Sequence, residues 1–427
     1  MSFKRFFENQ QNSIEISIDL ESHTGKVVDF ENMFIELEII EDVTNFVITG
    51  SVIFADSISL KEFLPLIGGE KIRIKFRTGE DFDWYEKEFI ITKLANEEGK
   101  QGRSKFIRFY FASEEILNSY MTRFSKSYRN QAISGILNDV ITSQLKTKKD
   151  LNFETSSNSI NFIIPYWTPN QTIKFLMNKG ISSLTKDSGY LFFENKNGFN
   201  FVTISGIFQT VPEKDIIMHR IKNDNEQSLS AYVGLVKYMT QIKTIDILQD
   251  VSLGVTGGSC YTFDYATKSF IKREMEWEKL NDRQGVSLGK NSLYVDGFIN
   301  KDAQIEEFTG YINDRVFNNY DFPNSINDQT KVYLRNKNLY NILNNNSLII
   351  GKAGDSELTC GVLVKTEQFS GEKNDYNEKM HGNYLVKAVR HKISTTSGYE
   401  QICLITKPFY NTDPNNITNV VSGKVNR

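Results

Sequence analysis

Few residues of this chain have the types and spacing that chemistry needs. Gly285-Val-Ser-Leu-Gly289-Lys290-Asn291 resembles a phosphate-binding loop. It has three residues between its glycines where four are required, and Asn291 where a Ser or Thr must reach a metal. No strong strand leads into it, so a surface turn is the simpler reading. Gly254-Val-Thr-Gly257-Gly258-Ser259-Cys260 lacks the spacing and the helix of a dinucleotide fingerprint and reads as a turn or bulge. Cys260 as a nucleophile needs a histidine that cannot be placed, so it reads as a buried or semi-buried thiol. His23, His219, His381 and His391 never stand at the spacing of a zinc helix. His391 falls just past a strand and is expected at a turn or edge.

Carboxylates are the next candidates. Glu36 and Glu38 share one strand face, as do Glu274, Glu276 and Glu278. Paired carboxylates can do acid–base work. Alternation opposite apolar residues makes them the solvated face of a sheet, or the wall of a pore whose negative charge repels passing nucleic acid. Phe162-Ile-Ile-Pro165-Tyr166-Trp167-Thr168-Pro169 could stack a ligand, but a strand end running into a capped helix explains it better. No catalytic, cofactor-binding or metal-binding residue is assigned, no cofactor is expected, and the chain reads as a non-enzyme.

Bulk properties agree with a globular, strand-rich protein. The 427 residues exceed one ordinary core, and two to four domains are expected. Hydrophobic content is 39% and charged content 24%, with 31 Phe and 19 Tyr, a balance that favours sheets. Net charge is −3, which provides no footprint for tight duplex binding. Three scattered cysteines argue against a disulfide framework and for a reducing site of synthesis. The N-terminus has no apolar run of the signal-peptide kind. No stretch approaches the ~20 apolar residues of a membrane span.

The elements follow from periodicity. Phe34 to Ile40, Phe46 to Phe54 and Lys71 to Phe76 alternate with period two and are expected strands, with Glu41-Asp42 breaking the first from the second. Phe89 to Leu94 and Phe106 to Phe111 follow as a hairpin across residues 96–102. Residues 130–145 have helical spacing. Thr168 and Pro169 start a second helix, which Gly180 closes as a left-handed C′ residue. Tyr190 to Glu194 and Phe199 to Ile204 form a hairpin. Strands are expected again at 232–238, 241–248, 348–350, 358–365, 384–389 and 400–406. The tail from Lys407 reads as polar and mobile.

Two of these β-rich parts can be laid side by side. GEKIRIKF (69–76) matches TCGVLVKT (359–366), FIITKL (89–94) matches YLVKAV (384–389), and FIRFYF (106–111) matches QICLIT (401–406). The step between the last two strands is 17 residues in both copies. An internal duplication is the expectation.

Four stretches carry a resemblance to a known family. They are IELEIIEDVTNFVITGSVIFADS with PLIGGEKIRIKF; Ser113-Glu-Glu115 into Arg123-Phe-Ser-Lys-Ser-Tyr128 and NQAISGILNDVI; NFIIPYWTPNQTIKFLMNKG with GYLFFENKNGFNFVTISGIF; and Tyr261-Thr-Phe-Asp-Tyr265 with GNYLVKAVRHKI. In this order the chain resembles the baseplate central hub proteins of T-even-type contractile-tailed phages. It is also similar to the hub portion of type VI secretion spike proteins. The motifs span about residues 34 to 406. Each is loose alone; their order is specific.

The resemblance implies a mainly β fold with α+β insertions: two tail-tube-like antiparallel β-barrel domains plus inserted domains. The implied boundaries are 1–115 for the first barrel, 116–212 for an inserted α/β domain, 213–255 with 347–408 for the second barrel, 256–346 for a second insertion, and 409–427 for a C-terminal tail. It implies a structural homotrimer, a pseudo-hexameric ring that adapts a hexameric tail tube to a trimeric central spike. Other baseplate proteins are implied partners, and DNA passes through the channel without sequence-specific binding. The expected place is the virion, in the tail baseplate, after assembly in the host cytoplasm. No needle follows Thr406, so the spike is expected as a separate chain. Alternatives are a tail-tip hub of a non-contractile phage or injection machine, or a peptidoglycan hydrolase of a tail tip.

Overall fold

Period-two alternation builds most of the molecule. The computed structural model describes residues 4–6, 14–30, 32–55, 66–98, 105–217, 234, 236–243, 257–264, 268–276, 305–312, 332–333, 335–337, 339–340, 343, 347–367 and 382–407. Eight strands come first: β1 (Lys4–Phe6), β2 (Ile14–Glu21), β3 (Val27–Asp29), β4 (Phe34–Asp42), β5 (Thr49–Ala55), β6 (Lys71–Thr78), β7 (Tyr85–Glu98) and β8 (Lys105–Ala112). A mixed segment follows: α1 (Glu115–Met121), β9 (Ser127–Ala132), α2 (Ile133–Val140) with a π-helical turn Ile141–Leu145, β10 (Leu151–Phe153), β11 (Ser159–Ile163), α3 (Pro169–Met177), β12 (Tyr190–Asn195), β13 (Gly198–Thr203) and α4 (Ile204–Phe208). The rest is β14 (Lys214–Ile217), β15 (Val236–Lys243), β16 (Gly257–Asp264), β17 (Ser269–Glu276), β18 (Ile305–Ile312), β19 (Ser347–Ala353), β20 (Leu363–Glu367), β21 (Gly382–Ser394) and β22 (Gly398–Thr406). The fold is mainly antiparallel β.

Two five-stranded units share one sheet. The first runs β6-β7-β8-β5-β4 and the second β20-β21-β22-β19-β15. Numbered along the chain within each unit, both orders are 3-4-5-2-1. Two irregularities repeat, while a third, between Gln241 and Lys243 in the β15–β19 ladder, has no counterpart in β4–β5. The β7–β8 ladder slips between Ile91 and Lys93, and β21–β22 between Val386 and Ala388. The shift in residue number that carries Phe89 onto Tyr384 carries one bulge onto the other. The β4–β5 ladder slips between Phe34 and Glu36, and β15–β19 between Val236 and Tyr238. Bulges are specified features of a strand pair, so matched bulges strengthen the match of the strands.

The sheet curls on itself. β6 and β21 are five strand steps apart, about 24 Å along a flat sheet. Yet the Phe76 and His391 rings lie 5.8 Å apart. The inward faces of β2 and β4–β8 enclose one core rich in Phe, with Ile393 and Tyr399 entering from the second unit. A second core gathers β19–β22 with Val43 from the first unit. β2, unassigned from the sequence, alternates through buried Ile14, Ile16, Ile18 and Leu20 and pairs with β6 along its length.

The mixed segment has its own core, in which α2 and α3 pack on β12 and β13. Thr168 caps α3 through a reciprocal capping box with Gln171, which fixes the strand-to-helix turn. Gly180 is a correction. α3 ends through right-handed Asn178, and Gly180 has no left-handed φ. A side chain at Gly180 would lie 2.6 Å from the Tyr190 ring, so close packing is what requires glycine there. The two strands expected at 232–238 and 241–248 are one strand, β15, because its ladder with β19 runs unbroken across Met239-Thr240; residues 244–248 lie outside the described residues. The strand expected at 358–365 starts only at Leu363, since residues 358–360 turn inward.

Between residues 256 and 346, β16 pairs with β17 and β18 in a separate three-stranded sheet. Leu339 and Leu343 belong to the second unit's core. The loop at 285–291, His219, His381, Glu278 and the tail after Lys407 lie outside the described residues.

Candidate functional site: a buried polar seam between the units

The two units meet where β4 pairs with the C-terminal half of β21, from Asp42 opposite Ala388 to Glu36 opposite Ser394. Alternation sorts the side chains of this pair. Glu36 and Glu38 point outward, to Lys392 at 3.5 Å and Arg390 at 2.8 Å. These carboxylates are engaged by diagonal cross-strand cations, and the face is charge-compensated rather than an acidic wall.

Inward lie Leu37, Ile39 and Glu41 of β4 and Val389, His391 and Ile393 of β21, all buried. Glu41 thus does not break the strand, as the sequence reading had it. It continues the inward register of Leu37 and Ile39. Its carboxylate accepts from Tyr85 Oη at 2.9 Å, from the Cys360 amide at 3.2 Å, and from the Thr359 hydroxyl. Burial raises its pKa, against the lowering pull of these bonds. His391 is no turn residue. It is wholly buried in mid-strand, with Nδ1 2.7 Å from Tyr399 Oη and Nε2 4.0 Å from Glu41 Oε1. Burial holds its pKa down at about 3, so the ring is neutral at pH 7. Tyr85, Phe76 and Tyr399 close around it, with Phe76 and Tyr85 stacked at 4.7 Å.

The loop after β19 completes the seam. Thr78 Oγ1 donates to the Gly354 carbonyl at 3.1 Å, and the Ser356 hydroxyl donates to the Asp83 carbonyl at 2.9 Å. Gln401 Nε2 donates to the carbonyls of Asp355 and Leu358. Asp355 receives Lys214 Nζ at 2.8 Å and faces Lys352 Nζ at 3.5 Å. Burial pushes the Asp355 carboxyl up, but the two lysines outweigh it and hold its pKa below the ordinary value.

A second clamp ties the first unit to the mixed segment. Buried Glu194 of β12 takes Lys149 Nζ at 2.7 Å, Lys87 Nζ at 3.7 Å and the Ile48 amide at 3.2 Å. A third fixes residues from the 330s: Arg335 grips Asp187 through two bonds of 2.8 and 2.7 Å, both side chains buried. Such pairs cost desolvation but are strongly destabilising to break, and they specify one arrangement.

Chemically the seam holds rather than reacts. Its carboxylates are occupied by donors or cations. Its histidine lies beneath aromatic rings. The Cys360 thiol is raised far above its ordinary pKa by burial and by Glu41. Among the described residues, no three His, Cys, Asp or Glu side chains are placed to hold a metal ion. The aromatic cluster is structural: Phe162 stacks on Phe175 at 4.8 Å, and Trp167 packs edge-on to Phe175 at 5.4 Å. Tyr166 stays exposed. Glu274 and Glu276 lie on β17, and Cys260 on β16. The sequence reading missed Asp355, Lys214 and Thr359, which sit in or beside loops and have no periodic signal. Glu41 was read as a break, although alternation continued from Leu37 and Ile39 would have placed it inward.

No protein-family model matches the chain. It is 20% identical over 379 residues to the "Probable baseplate hub protein gp334" of Vibrio phage KVP40, covering 86% of this chain and 88% of that protein. Among solved structures, the tail protein from Neisseria meningitidis MC58 aligns with a TM-score of 0.57 at 10% identity, over 92% of this chain and 96% of its own. The 43 kDa tail protein of prophage MuSo2 from Shewanella oneidensis aligns with a TM-score of 0.57 at 10% identity, over 93% and 99%. The fold is that of phage tail proteins, and the chain is similar over most of its length to a phage baseplate hub protein.

Proposed function

We propose that this chain is the central baseplate hub of a contractile phage tail, a structural component of the virion without enzymatic chemistry. Three copies form a ring. Each contributes two tube-type β-barrels, residues 1–115 and residues 213–255 with 347–408, so the ring presents six similar units. One face seats the hexameric tail tube; the other seats a separate trimeric spike. Other baseplate proteins surround it, and DNA leaves through its channel without being read.

The observation that carries this reading is the repeated 3-4-5-2-1 strand order with its matched bulges. A chain that must face sixfold on one side and threefold on the other needs such a repeat. The seam adds support, because its buried carboxylates Glu41 and Asp355 are taken up by internal donors and cations. Native mass spectrometry of the purified chain, alone at high concentration and with its spike, should give a trimer. A strictly monomeric species with spike present would overturn the reading. Zymography on peptidoglycan should show no clearing.

A further inference from the structure

We infer that the outward face of the β9–β11 ribbon is a docking surface for an extended acidic segment of another protein. That this protein is a further baseplate component rests on the function proposed above; the surface itself does not.

The ribbon has two unlike faces. β9 pairs with β11 from Ser127 opposite Ile163 to Ala132 opposite Ser159, and the two strands form a sheet of their own. Alternation sends Tyr128 and Phe162 together onto the core of the mixed segment. Ile164 and Phe124, the latter opposite Trp167 in an isolated bridge, extend that inner face. The odd-numbered positions from Arg123 to Arg129 therefore turn outward, as do Ile163 and Pro165, and all of them are exposed. Tyr166 takes a left-handed φ of 57°, which a bulky residue seldom adopts. Its amide donates to Ser125 Oγ at 3.1 Å. The kink returns Trp167 to the core and leaves Tyr166 in solvent.

Charge and shape together say what covers this face. Residues 122–132 and 158–167 contain no Asp or Glu. Lys126 is held by Asp139 at 2.7 Å, but among the described residues Arg123 and Arg129 have no acidic partner. The surroundings share the sign: residues 116–212 carry ten Lys or Arg and five Asp or Glu, a net +5, in a chain whose total is −3. Between the two arginines the face is apolar. Ile163, opposite Ser127, is 66% exposed, and Tyr166, beside Ser125, is 63% exposed. Arg123 and Arg129 lie six residues apart on extended chain, which is about 20 Å. The occupant with matching chemistry is an extended stretch of about seven residues, with a carboxylate towards each end and an apolar side chain between. Arginine suits it, because its planar fork binds a carboxylate through two parallel bonds. Nucleic acid binds by the number of phosphates neutralised, and an isoleucine between two separated cations offers it little.

The test titrates the full-length chain at low salt, where exposed charges are least screened, with poly-L-glutamate, poly-L-lysine and single-stranded oligothymidylate as probes. Poly-L-glutamate should bind most tightly, and Arg123→Glu combined with Arg129→Glu should weaken it about tenfold or more. Equal binding by the reversed variant, or tighter binding of the oligonucleotide, overturns the acidic occupant. Arginine labelling with phenylglyoxal gives a second readout on the unmodified protein. Arg123 and Arg129 should react in the purified oligomer and lose most of that reactivity in assembled tails. Equal reactivity in the tails overturns the docked partner and leaves the hub reading standing. Protection already complete in the purified oligomer makes a second copy the occupant and also overturns it. Tails that lack this chain overturn the hub reading, while the poly-L-glutamate titration still decides the surface.

Discussion

The two β units have one topology and two ways of filling it. In the first, the chain's own aromatic side chains fill the interior: Phe30, Phe54, Phe76, Phe89, Phe109 and Phe111 are all buried in one core. In the second, smaller residues hold the matching strand positions. The ladders move the expected match of 106–111 with 401–406 by one residue, so that Cys403 stands where Phe109 stands and Ile405 where Phe111 does. The missing volume comes from elsewhere in the chain. Leu191, Phe193, Ile204 and Ile207 of the mixed segment, with Leu339 and Leu343, join that core. Phe193 packs so closely on left-handed Gly361 that a Cβ there would strike its ring. Backbone pairing and alternation thus preserve the unit, while the identity of the filling drifts. A unit filled from outside is welded to what fills it; a unit that fills itself is not.

That difference predicts unequal responses at equivalent sites. Phe109→Ala should cost about 3–5 kcal/mol in chemical denaturation, because no neighbouring segment can collapse into the space. Cys403→Ala, at the matching place, should cost about 1 kcal/mol. Equal losses would break the comparison. Glu41→Ala probes what the units share. It strands the donors Tyr85, Thr359 and the Cys360 amide in a buried place, and a loss of about 3 kcal/mol is expected. Glu41→Gln keeps an acceptor and should lose less.

Acid should loosen the seam through His391. Its folded pKa of about 3 lies below the ordinary 6.5, so the folded state resists a proton that the unfolded chain accepts. The stabilisation is full above pH 6.5 and drains as pH falls towards 3. Between pH 6.5 and 4.5 the loss should be about 2–3 kcal/mol. Glu41 works in the opposite sense, since its raised pKa favours the folded state as pH falls below it. Denaturation at a series of pH values should show the His391 slope, and His391→Asn should flatten it. The smallest effect belongs to the outer face. Glu38→Gln removes a partly exposed pair with Arg390 and should cost under about 1 kcal/mol.

Most strands were legible in the sequence, because alternation at Phe34–Ile40 or Lys71–Phe76 follows from burying one face. The α3 cap at Thr168-Pro169 was legible for the same local reason. The match of 89–94 with 384–389 was visible as pattern, but the bulges that pin it are backbone events with no side-chain signature. The seam was the least legible part. Its loop residues Asp355 and Thr359 gain meaning only when β4 and β21, some 350 residues apart, come together. His391 looked like an edge residue because a polar side chain interrupts an apolar run, and only its neighbours Tyr85 and Tyr399 show why it can be buried.

The central claim is that two like units per chain build one closed ring. Electron microscopy of the purified oligomer tests it most directly. Three copies with two units each should appear as a three-cornered ring with a central hole and six similar lobes. A twofold particle, an open filament or a ring without paired lobes would contradict it.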